Sequence, residues 1–300
     1  MDWTGVFPAI TTPFDEGLSV DHAFLARHAN LLVDAGCRGV VALGSLGEGA
    51  TLDFSEKVEV LRTCVEAVGA RTPVVAGVSA LSTAGAVRLA EAAEQCGCRG
   101  LMVLPPYVYS SDWREMKAHV GAVLRATRLP ALLYNNPLAY GVDFLPEQIA
   151  ELAGEESNLQ AVKESSADTR RVTGIRALLG DRLQIMVGVD DSLVEGVRMG
   201  AVGWVAGLVN AFPGESVRLF DWAREGRADD ADALYRWFLP LLRLDTVLKF
   251  VQLIKLAQQE AGMGSERVRP PRLTLEGEER KAALEVIRAG LASRPGDQDE

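Results

Sequence analysis

The chain has 300 residues, of which 48% are hydrophobic and 24% charged, with a formal net charge of −10, which gives room for one large barrel or two ordinary domains. It contains no apolar run approaching the about 18 residues that a membrane-spanning helix needs, and its opening residues carry no basic segment leading into an apolar stretch, so neither a membrane span nor a signal peptide is expected. The negative charge repels nucleic acid and anionic membrane, leaving small molecules as the expected partners of a cytoplasmic protein.

Short runs rich in Val, Ile, Leu and Ala recur along the chain with longer helical-period segments between them, the pattern of parallel βα units. They predict eight strands, at 5–10, 39–43, 74–77, 100–104, 131–134, 159–163, 184–188 and 203–206. After the second, Asp53 with Glu56 three residues on reads as a helix start, and Val58, Leu61, Val65 and Val68 then repeat at helical spacing. Asp112 plays the same part before Met116, Val120 and Val123, and Pro146 is a natural first helical residue. Gly36, Gly97, Gly180 and Gly200 fall where helices should stop.

Eight repeats suit a closed (β/α)₈ TIM barrel, because the last strand can pair with the first and remove both edges. Residues 1–211 would form the barrel core. Residues 212–300 would form a C-terminal helical extension packed on it, with helices at 216–225, 229–242, 246–259 and 277–292 interrupted by the Arg269-Pro270-Pro271-Arg272 loop. Cys37, Cys64, Cys96 and Cys98 lack metal or redox spacing and read as reduced apolar residues.

Catalytic groups of such a barrel lie at the carboxyl ends of its strands, and three ends are chemically loaded. Strand two runs into Gly44-Ser45-Leu46-Gly47-Glu48, where glycines let backbone amides approach an anion and the Ser45 hydroxyl adds a donor and acceptor. The bland reading of that loop is a tight turn. Strand five ends at Tyr134, which could equally be a core aromatic. Strand six ends at Lys163. Beside a buried cavity such an amine loses its proton easily and can attack a carbonyl to form a Schiff base, with a neighbouring phenol passing protons; the alternative is a lysine reaching solvent. Asp190 and Asp191 have no third ligand at metal spacing and read as caps of the following helix. His22, His28 and His119 lie on helices away from the strand ends and read as structural.

Four motifs in this order, residues 5–14, Gly44–Glu48, Tyr134-Asn135-Asn136-Pro137 and Val162-Lys163-Glu164, resemble the dihydrodipicolinate synthase and N-acetylneuraminate lyase family over about residues 5–290. The resemblance implies a Schiff-base barrel without metal or organic cofactor, forming a homodimer or homotetramer. Lys163 would be the covalent lysine, Tyr134 the proton shuttle, and Ser45 with the Leu46 amide the binder of a 2-oxo carboxylate. Gly44, Val205, Tyr140 and Gly188 would line the substrate. Departures from the pattern matter: Leu46 replaces a second threonine, Val108 a relay tyrosine that Tyr109 could partly replace, and Ala139 an arginine that clamps a second carboxylate.

The strand-end segments together with Gly203–Val209 and Tyr235-Arg236-Trp237-Phe238 look most like the family's 1-pyrroline-4-hydroxy-2-carboxylate deaminase branch, from hydroxyproline breakdown. That resemblance implies a lyase or hydrolase releasing ammonia and 2,5-dioxopentanoate from a cyclic imino acid. A lysine-dependent dehydratase or aldolase of 2-keto-3-deoxy sugar acids, a synthase-like lyase on another 2-oxo acid, and a barrel retained only for binding are the alternatives. Contact of Tyr107, Tyr109 or Tyr140 with substrate stays open at this level.

Overall fold

The computed structural model describes residues 1–106 and 112–296. Its strands are β1 Gly5–Pro8, β2 Val40–Ala42, β3 Val74–Val78, β4 Gly100–Val103, β5 Ala131–Asn135, β6 Leu159–Glu164, β7 Gln184–Val187 and β8 Gly203–Ala206. The intervening helices are α1 His22–Asp34, α2 Phe54–Val68, α3 Thr83–Gln95, α4 Trp113–Ala126, the single turn α5 Pro137–Tyr140, α6 Pro146–Glu155, α7 Arg170–Leu179 and α8 Leu193–Arg198. After β8 come α9 Pro213–Glu225, which packs on β1 and α8 as the last helix of the barrel ring, and then α10 Ala228–Leu242, α11 Phe250–Glu260 and α12 Gly277–Ala292.

All strand pairings are parallel, in the order β1-β8-β7-β6-β5-β4-β3-β2. The two ends of that series meet through the bridge Ala9–Val41, where Ile10 N–H donates to Val41 O at 2.9 Å. The (β/α)₈ barrel with C-terminal helices is thus the architecture. Its strands are buried almost throughout, because barrel side chains fill the interior on one face and meet helices on the other.

Helix starts follow the sequence. Asp53 and Glu56 close a reciprocal capping box on α2, and Asp112 accepts from Glu115 N at the start of α4. The glycine stops at 36 and 200 adopt φ of 103° and 106°, a left-handed backbone that ends the helical ladder. One expected element differs: the helix placed at 246–259 begins only at Phe250. Residues Arg243–Asp245 tighten into a 3₁₀ turn and the chain runs on irregularly to Lys249, which brings Asp245 onto the barrel mouth.

Candidate active site

Strand alternation sets the two central side chains. Lys163 on β6 pairs in register with Tyr134 on β5, so both point to the same face of the sheet. Lys163 Nζ lies 4.1 Å from the centroid of the Tyr134 ring. The lysine is 6% exposed, and burial drives its amine down to about 8 against the opposing pull of the Asp245 and Asp190 carboxylates. At neutral pH roughly a tenth of the amine is therefore uncharged.

Tyr134 is 5% exposed, and burial raises its phenol to about 12. Its oxygen accepts from Asn136 Nδ2 at 2.9 Å, and the hydroxyls of Ser165 and Tyr140 beside it favour the ionised form. The Tyr140 ring stands edge-on to Tyr134, with centroids 5.8 Å apart, and its hydroxyl is hydrogen-bonded to Ser45 Oγ. Lys163 is thus brought over the Tyr134 ring, and Tyr134, Tyr140 and Ser45 are joined by hydroxyl contacts through which a proton can move. Asn135, the other asparagine of the motif, points away. Its side chain donates to Phe144 O and Glu164 Oε2 and accepts from Phe144 N, anchoring the loop behind β5.

Ser45 belongs to a loop held in an unusual backbone. Leu43 and Glu48 have φ of 64° and 52°, conformations that side-chain-bearing residues seldom adopt. Tertiary bonds hold the turn: buried Glu48 accepts from Lys255 Nζ at 2.5 Å and from Arg269 N at 3.0 Å, and Thr12 Oγ1 donates to Gly47 O at 2.6 Å. The loop is a pinned turn as well as the carrier of Ser45.

At β7, Gly188 makes room for its neighbours. A methyl there would meet Lys163 Cε at 2.6 Å and overlap Ser165 Oγ. Ser165 Oγ is buried and closes no hydrogen bond among the described residues, although it lies near enough to Tyr134 to affect its acidity.

Asp190 and Asp191 do not cap α8, contrary to the sequence reading. Buried Asp190 crosses to β8 and accepts from Trp204 Nε1 at 2.9 Å, Leu208 N at 2.8 Å and Gly207 N at 3.1 Å, while Arg243 Nε donates to Asp191 at 3.4 Å. A carboxylate buried this close to unpaired N–H groups gains more from them than from an exposed helix end. Burial nevertheless lifts the Asp190 carboxyl to about 6.

The other expected lining positions are less involved. Gly44 backs onto Met102, Leu46 is buried in the core, and Val205 is buried within β8. Tyr107, Val108 and Tyr109 lie outside the described residues. His28 bonds to Asn210 and Gln258, and burial lowers it to about 4, so it is a neutral packing group. Among the described residues, no group of three or more His, Cys, Asp or Glu could hold a metal ion, and no helix is long and apolar enough to cross a membrane.

Residues 2–289 match the dihydrodipicolinate synthetase family. The chain belongs to that family. Members are class I Schiff-base lyases, and this chain is an enzyme of that kind. It is 31% identical to the 4-hydroxy-tetrahydrodipicolinate synthase of Geotalea daltonii, over 95% of this chain and 97% of the relative. The Methanococcus maripaludis synthase is 32% identical over 89% of this chain and 91% of the relative. Among solved family structures, a putative dihydrodipicolinate synthetase from Pseudomonas aeruginosa superposes with a TM-score of 0.90 at 31% identity, covering 96% of this chain and 99% of the other.

Sequence reasoning missed Asp245, Ser165 and the crossing of Asp190. Ser165 stood two residues beyond the lysine on the same strand run and could have been found by alternation. Asp245 carried no motif.

Proposed function

We propose that the enzyme deaminates 1-pyrroline-4-hydroxy-2-carboxylate through a Schiff base on Lys163. The observation that supports this most is the amine itself, buried, lowered to about 8 and lying 4.1 Å from the Tyr134 ring centroid. Lys163 attacks C2 of the ring and the C2–N bond breaks, leaving an imine to the enzyme and a free amine at C5. The carboxylate on C2 takes donors from the Ser45 hydroxyl and the Leu46 amide. Tyr134 removes a proton from C3, its own proton having moved towards Tyr140 and Ser45. The 4-hydroxyl leaves as water, and tautomerisation places an imine at C5. One water releases ammonia there and a second frees 2,5-dioxopentanoate from Lys163, so the whole reaction consumes one water.

Ala139 favours this reading over synthase chemistry. It is exposed on α5, where the family's second-substrate clamp would need an arginine fork to hold a carboxylate. The synthase names of the relatives favour the second reading, condensation of a 2-oxo acid with an aldehyde. Ammonia measured after mixing the purified enzyme with the hydroxypyrroline carboxylate separates them. Release by the natural chain and not by Lys163→Ala is expected; condensation of pyruvate with an aldehyde, and no ammonia, would favour the synthase.

A further inference from the structure

The helical extension adds to the barrel mouth a carboxylate that no strand supplies. After α10 the 3₁₀ turn Arg243–Asp245 folds the Asp245 side chain against Gly207, the residue following β8. A methyl on Gly207 would approach Asp245 Cγ to 2.5 Å and Oδ2 to 2.9 Å, so glycine is what admits the acid. Asp245 and Asp190 both act on Lys163, Asp191 acts on Asp245, and the oxygens of the three acids are used differently. Asp190 is engaged by Trp204, Gly207 and Leu208, and Asp191 by Arg243. The Asp245 carboxylate makes no hydrogen bond among the described residues. When ionised it would be the strongest electrostatic partner of the Lys163 amine, ahead of Asp190, and it would act on Tyr134 as well. Burial and repulsion from Asp190 and Asp191 keep its proton on well above the usual carboxylate range, against the pull of Lys163.

The deaminase reaction needs such a group. Hydroxide is a poor leaving group, and Tyr134 is already occupied with the C3 proton. We infer that Asp245 is the catalytic acid that protonates the hydroxyl leaving C4 of the lysine-bound substrate. This rests on the deaminase reading and adds a residue to it. In the step, the C3–H bond breaks and its proton passes to Tyr134, leaving an enamine. The enamine pair then forms C3=C4 while the imine to Lys163 is restored. The C4–O bond breaks with its electrons on oxygen, which takes the Asp245 proton and leaves as water. The resulting Asp245 carboxylate recovers a proton from C5 during the tautomerisation that follows.

The test compares the natural chain with Asp245→Asn in two assays. One is ammonia release from the hydroxypyrroline carboxylate; the other is exchange of pyruvate methyl protons in deuterated water, which needs Lys163 and Tyr134 but breaks no C–O bond. The expected result is that kcat for ammonia falls about 10²–10⁴-fold while exchange continues. Gly207→Ala, which displaces the carboxylate, should give the same split. Ammonia release by Asp245→Asn at the natural rate would overturn the assignment. So would loss of exchange together with ammonia, which would place Asp245 in support of the lysine. A natural chain that exchanges pyruvate protons but releases no ammonia would overturn the deaminase reading, and the leaving-group role with it.

Discussion

The proposed chemistry concentrates in an amine and a phenol, and each carries a separate expectation. Because burial lowers the Lys163 amine to about 8, imine formation should quicken about tenfold per pH unit below that value, as the uncharged fraction grows, and level off above it. Stopped-flow measurement of imine formation with pyruvate across pH 6–10 checks this; a rate flat through pH 8 would mean that the amine is already free. Tyr134→Phe removes the hydroxyl but keeps the ring beneath the amine, so kcat should fall about 10²–10⁴-fold with imine formation retained. The placement of Lys163 and Tyr134 side by side was legible in the sequence because each ends a short apolar run, and that of Ser45 because its glycine loop follows one, and in a parallel barrel the ends of such runs converge. Asp245 was not, because an isolated acid between two predicted helices looks like a surface residue until Gly207 is seen beneath it.

At the scale of elements, the β8 terminus depends on Asp190. Its oxygens accept from three buried N–H donors, each of which costs about 1–3 kcal/mol if left unpaired. Asp190→Ala should therefore lower unfolding stability by several kcal/mol and disturb the Gly207–Leu208 backbone against which Asp245 rests. A shift in the urea midpoint at unchanged slope would register the loss, and an unchanged midpoint would show that water satisfies the donors. The strands and most helix starts were readable because alternation, caps and glycine stops are local signals. The cross-strand reach of Asp190 and the delayed start of α11 were not, since both are decided by what lies across the barrel mouth and not by neighbours in sequence.

Over the whole molecule, α11 is fastened to the loop that carries Ser45. Lys255 on α11 and Glu48 after β2 form an ion pair with side-chain exposures of 2% and 0%, and Lys255 also donates to Arg267 O at 2.7 Å. Removing one partner of a buried pair strands the other charge, so Lys255→Met should cost about 3–5 kcal/mol, and pairing it with Glu48→Gln should recover part of that loss. Chemical denaturation of the single and double variants tests the coupling; additive losses would mean that the two residues act independently. The barrel itself was legible from the count of βα repeats. The dependence of the Ser45 loop on a residue 207 positions along the chain was not, because composition does not reveal which buried lysine meets which buried glutamate.

The most direct test of the account is borohydride reduction in the presence of pyruvate, followed by peptide mass analysis. One reduced adduct per chain, located on Lys163 and absent from Lys163→Ala that retains its thermal transition, is the expected result. An adduct on another lysine, or none, would contradict it.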